Sequence, residues 1–251
     1  METWYGKWYS PNLGRDMEYK RYGHAGRPML YIPCQDGRFF DFENFHMDST
    51  LAPWIESGQL MAFSIDTIDV ETWSNGGGDA RWRIERHESW MRYITDEMVP
   101  FMRSEANAKN GWTGNPDCLV FGCSLGALHA VNCFYRRPDL FDGLLALSGV
   151  YSASYGFDGY MDDLVYANSP IDYLSNMPTD HPYIDLYNRK RSVVCVGQGP
   201  WEMPDSTRQL ANALASKNIH TWVDFWGYDC AHDWDWWYKQ AAYFMPYLLG
   251  Q

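Results

Sequence analysis

Apolar residues along the chain gather into short unbroken runs: MLYIP (29–33), LMAFSI (60–65), CLVFG (118–122), LLALS (144–148), SVVCVG (192–197) and the aromatic-rich TWVDFW (221–226). Runs of this length without alternation suit strands covered on both faces, the condition of a parallel sheet. Met17–Tyr22 differs, alternating apolar and polar positions as a half-exposed strand does. Patterns of helical period lie between the runs. Trp90, Met91, Ile94, Met98 and Phe101 or Met102 recur on one face. Leu125–Arg137 forms a second helix, closed by Pro138, with Arg136 and Arg137 at the negative end of its dipole. Ser206 followed by Gln209 reads as a capping box that opens a third.

Strands alternating with helices predict an α/β fold, a mostly parallel sheet flanked by helices on both faces. No linker or repeat divides residues 1–251, so one domain is expected. The segment 151–191, rich in Tyr, Asp, Asn and Pro and without a period, reads as an insertion over the strand ends, either a lid or a packed surface excursion. The sheet matters for function because such folds place their chemistry in loops at the carboxyl ends of the strands.

Charge and cysteine usage narrow the partners. The net charge of -12 argues against nucleic acid or an anionic membrane, both of which need a basic surface. No apolar run approaches a membrane span, and the first residues carry neither a basic nor an apolar leader pattern. The six cysteines (34, 118, 123, 133, 195, 230) sit mostly inside apolar runs, as buried free thiols of a cytoplasmic protein would. No metal-ligand spacing is present, and Gly76-Gly77-Gly78 lacks the Lys-Ser/Thr of a phosphate loop, so neither metal nor cofactor is expected. A homo-oligomer is left open.

The candidate chemistry starts at Gly122-Cys123-Ser124-Leu125-Gly126. By itself this pentapeptide arises by chance in about one chain in ten of this length. Its context adds weight: a strand precedes Ser124 and a helix follows, the setting of a nucleophile held on a sharp turn. The backbone N–H of Leu125 is then a candidate oxyanion donor, with a second from Cys34 or Gln35 in the loop after MLYIP. The base should come late, and His232 follows the last strand. His220 opens that strand and reads as structural, whereas His129, five residues beyond Ser124, should point elsewhere. The acid should follow SVVCVG. Glu202 does, with Asp205 as its rival and Asp229 a more distant one; Asp205 also suits a helix N-terminus. Trp201, Trp234, Trp236 and Trp237 lie beside the acid and base, where they could stack on a sugar or aromatic acyl group. Alternatively, Trp236, Trp237, Tyr243 and Phe244 recur as a core-facing helix stripe would.

Gly122–Gly126, the Gln198–Glu202 stretch and Gly227-Tyr228-Asp229 leading to His232 resemble the putative-esterase branch of the α/β-hydrolases. That branch includes esterase D (S-formylglutathione hydrolase), feruloyl and acetylxylan esterases, and mycolyltransferases. The resemblance runs from the strand near Met29 to the final helix. It implies an α/β-hydrolase fold and cofactor-free hydrolysis of carboxylic esters through an acyl-serine, on small-molecule or carbohydrate-linked substrates. Ser124 would be the nucleophile, His232 the base and Glu202 the acid. Cys123 stands where many relatives have His, and Glu202 where many have Asp, so no one relative's substrate transfers. An acyltransferase with the same three residues, or a non-catalytic carbohydrate-binding protein of this fold, are the alternative readings.

Overall fold

The structure, a computed structural model, describes all 251 residues. Its strands are β1 (Thr3–Ser10), β2 (Arg15–Tyr22), β3 (Arg27–Ile32), β4 (Leu60–Ile65), β5 (Cys118–Cys123), β6 (Phe141–Leu147), β7 (Arg191–Val196) and β8 (Trp222–Phe225). They form one sheet in the order β1-β2-β4-β3-β5-β6-β7-β8. From β4 to β8 neighbours run parallel, while β2 pairs antiparallel with both β1 and β4. Every apolar run of the sequence is one of these strands. β1 is an addition: TWYGKWYS neither alternates nor stays apolar, because this edge strand exposes Trp4, Tyr5 and Tyr9.

Both faces of the sheet are covered, which is why its central strands read as continuous apolar runs. Along β5, Cys118 and Val120 join one core, and Leu119, Phe121 and Cys123 join the other. Helix Leu125–Arg136 and the long helical stretch before β5 cover the first face; helices Met47–Glu56 and Trp234–Leu249 cover the second. In the last helix the buried stripe is Trp237, Ala241, Phe244, Met245 and Leu248. Tyr243 is exposed and Trp236 lies under Lys239, so only Trp237 and Phe244 of the expected stripe face the core.

The stretch before β5 is one helix with a defect. Ala80–Arg92 passes through a π-helical segment, Tyr93–Met98, into Val99–Asn110. The extra residue of a π turn shifts the helix face. Here Glu97 turns toward the β1–β2 hairpin, accepting Trp8 Nε1–H (3.0 Å), Ser10 Oγ–H (2.7 Å) and Asn12 Nδ2–H (2.7 Å).

The capping-box reading needs correction. Helix Pro204–Ser216 starts three residues earlier than expected, with Met203 rather than Ser206 as its N-cap, and Ser206 Oγ accepts the Tyr151 N–H (2.8 Å) instead. Proline at the first helical position supplies the start without a side-chain cap. Segment 151–191 holds four short helices, Ser154–Phe157, Asp163–Ala167, Pro170–Asn176 and Tyr183–Asn188. Tyr151, Phe157, Val165, Leu174 and Tyr187 anchor it in the core.

Candidate active site

Ser124 sits between β5 and helix Leu125–Arg136 with φ 56° and ψ -127°, a conformation that costs a non-glycine residue about 1–3 kcal/mol. Two close approaches hold it there. A Cβ on Gly122 would overlap the Gly126 carbonyl, and one on Gly126 would overlap the Ile32 and Pro33 carbonyls. The glycines therefore let the helix start against β5 and against the end of β3 together. Leu125 is the first residue of that helix, where N–H groups lack intrahelical acceptors. The same packing brings the Pro33–Gln35 loop beside it. The backbone N–H groups of Cys34 and Gln35 donate to no backbone carbonyl. Gln35 is held by its side chain, Nε2 donating to Ser74 Oγ (2.8 Å) and Oε1 accepting from Tyr155 Oη (3.0 Å).

The loops after β7 and β8 are bonded to one another. Gln198 N–H donates to Gly227 O (3.2 Å), Gly199 N–H to Cys230 O (2.9 Å) and His232 N–H to Pro200 O (3.0 Å). This pairing sets Glu202 against His232. His232 Nε2 lies 3.0 Å from Ser124 Oγ, and His232 Nδ1 lies 3.4 Å from Glu202 Oε2. The Glu202 side chain is wholly buried, and its other oxygen, Oε1, accepts from Ser148 Oγ (2.7 Å) and Gly197 N–H (3.1 Å). Three residues widely separated in sequence thus meet at the carboxyl ends of β5, β7 and β8.

The rival carboxylate stands apart: Asp205 is 87% exposed and bonded to Arg208 (2.6 Å). His129 is buried with Nε2 2.9 Å from Asp69 Oδ1, and the His220 N–H donates to Asn188 Oδ1 (2.7 Å). All six cysteines are free, five of them buried. Burial pushes the Cys34 thiol up to about 12 and the Cys123 thiol well above its usual range, so neither offers a thiolate at neutral pH.

A cavity of about 110 Å³ adjoins Ser124 and His232, walled by Leu125, Val150, Tyr155, Trp201 and Met203. Trp201 is 89% exposed at its rim. Trp234 lies elsewhere, stacked face to face on Phe45 (4.5 Å between centroids) and edge-on to Trp237. Val150, Tyr155 and Met203 also border a second recess of about 260 Å³, lined by Ser152, Ser154, Asp205, Ser206 and Gln209. Ser148, Val150, Tyr155 and Met203 escaped the reading of the sequence. Only Ser148 left a signal, as the residue that ends the run LLALS at a strand's carboxyl end.

Solved structures share this architecture. A ferulic acid esterase superposes with a TM-score of 0.75 at 14% identity, over 99% of this chain and 98% of its own. An S-formylglutathione hydrolase from Agrobacterium tumefaciens gives 0.73 at 12%, over 99% and 94%. A ferulic acid esterase from Anaeromyces mucronatus, solved with ferulic acid, gives 0.68 at 12%, over 99% and 89%. At such identities the likeness shows the α/β-hydrolase fold. A search of curated protein sequences finds no match. The sequence profile of one family, described as Putative esterase, matches residues 10–243, nearly the whole chain. The chain belongs to the Putative esterase family.

Proposed function

We propose that this family member is a serine esterase in which Ser124 is the nucleophile, His232 the general base and Glu202 the acid that orients it. The observation that carries the reading is the 3.0 Å approach of His232 Nε2 to Ser124 Oγ, with Glu202 Oε2 behind Nδ1. His232 takes the Ser124 proton as Oγ attacks the ester carbonyl, and the imidazolium then returns it to the leaving alcohol. The developing oxyanion is received by the N–H of Leu125 with that of Cys34 or Gln35. Water, activated by His232 in turn, attacks the acyl-serine and releases the acid.

The cavity supports an ester with a short acyl group. Trp201 and Met203, both exposed at its rim, supply an apolar surface for an aromatic or sugar-linked remainder. Trp234, stacked on Phe45, is a more distant contact for an extended substrate. The test is labelling with a fluorophosphonate together with turnover of p-nitrophenyl acetate. Wild type should label and turn over, and Ser124→Ala and His232→Ala should lose at least about 10³-fold in kcat. Label retained on Ser124→Ala, or near-normal turnover in Glu202→Gln beside a crippled Asp205→Asn, overturns the assignment.

A further inference from the structure

The two oxygens of Glu202 have different surroundings. Oε2 faces His232, while Oε1 is held by the Ser148 hydroxyl and the Gly197 N–H. A serine hydroxyl has a single proton and turns freely unless a neighbour fixes it. Here the neighbour is Trp237, whose indole N–H, a donor only, reaches Ser148 Oγ at 2.9 Å. An oxygen accepting that bond keeps its own proton for Glu202. The Trp237 ring also meets His232 edge-on, with centroids 4.9 Å apart and planes at 83°.

We propose that Ser148 and Trp237 are positioning residues for the site: the indole N–H aims the Ser148 hydroxyl, the hydroxyl fixes the Glu202 carboxylate, and the indole ring holds His232. This rests on the esterase reading above for its effect on turnover. The backbone supports it independently. Ser148 directly follows β6 with φ 54°, buried, its N–H donating to Cys195 O (2.8 Å). Glycine would occupy that conformation without strain, whereas serine occupies it at a conformational cost and gains a hydroxyl at the acid. Trp237 belongs to the helix covering the second face of the sheet, so the relay ties the orientation of the site to that helix.

The test compares wild type with Ser148→Ala, Trp237→Phe, the double variant and Ser148→Gly, which removes the hydroxyl while relieving the backbone. Trp237→Phe keeps an aromatic ring in the core and removes the N–H together with the pyrrole ring that carries it, so its loss of stability is measured beside its kcat. On p-nitrophenyl acetate, kcat should fall about tenfold in both Ser148 variants, the size of one lost hydrogen bond to a buried charged group, with KM within about twofold. Trp237→Phe should cost about threefold alone and nothing further in the Ser148→Ala background, because it acts through that hydroxyl. A readout independent of turnover is the proton NMR line of His232 Nδ1–H, assigned by its loss in His232→Ala. It should move in Ser148→Ala and in Trp237→Phe. A line unmoved in both, a Trp237→Phe loss that multiplies the Ser148→Ala loss, or an effect confined to KM overturns the relay. An inactive wild type whose line moves as expected removes the esterase reading and leaves the relay standing. An active wild type with unmoved line and kcat does the reverse.

Discussion

Gly122 and Gly126 show what the Gly-x-Ser-x-Gly pattern does in this chain. A side chain at either would strike backbone, Gly126 O in the first case and the Ile32 and Pro33 carbonyls in the second, and backbone cannot turn aside as a side chain can. Gly122→Ala should therefore destabilise the protein by about 2–3 kcal/mol in urea unfolding, the range of overpacking. Gly77→Ala, where a Cβ meets nothing within 4 Å, should change stability by less than about 0.5 kcal/mol. Buried His87 offers a second residue-scale test. Its Nδ1 accepts the Trp73 Nε1–H (3.2 Å), and burial, then the charges of His129 and Arg136, hold its pKa well below the usual histidine range. The folded protein keeps this ring neutral while the unfolded chain protonates it near pH 6.5. Because the unfolded state then binds more protons, stability is lost as pH falls below about 6.5, by about 1 kcal/mol between pH 6.5 and 5.5. In His87→Gln that share of the pH dependence should vanish from the unfolding midpoints; an unchanged slope would place the titration elsewhere.

At the scale of elements, the parallel strands were legible because burial on both faces leaves each one an unbroken apolar run. Glu202 and His232, the proposed acid and base, were picked out by their order along the chain in loops at strand ends, and the structure brings the two together with Ser124. Three features left weaker traces. β1 is an exposed edge whose aromatic residues break the alternation. The helices of 151–191 run four to seven residues, too short to display a period. The π segment Tyr93–Met98 preserves an apolar face, so the pattern reads as a continuous helix although the backbone has changed register. That register has a consequence, since it sends Glu97 to the hairpin, where it holds Trp8, Ser10 and Asn12. Glu97→Ala would leave those donors without their carboxylate and should cost about 2–3 kcal/mol of stability. Glu97→Gln, which keeps one acceptor oxygen, should cost less. Equal losses in the two variants would mean that the charge, not the acceptor geometry, holds the hairpin.

At the scale of the molecule, 32 acidic against 20 basic residues give the protein a net charge of -12 and with it a net negative field. Such a field leaves a neutral ester indifferent and lowers the local concentration of an anionic one. Asp205, paired with Arg208, lines the recess beside the cavity, and Asp36 accepts from Ser74 Oγ (2.7 Å), which accepts from Gln35 Nε2, so two carboxylates stand near the site. Salt shortens its reach from about 30 Å at 0.01 M to about 3 Å at 1 M. For two acetyl esters of one phenol, neutral and carboxylated, kcat/KM at low salt should favour the neutral ester by about tenfold. The gap should close as salt rises, through recovery of the anionic ester alone. Asp205→Asn should narrow it at low salt without changing kcat on the neutral ester. A gap that persists at high salt would point instead to shape at Trp201 and Met203 as the source of discrimination. The measurement thereby separates the two ways this site can choose among esters, by charge at a distance or by contact at the rim.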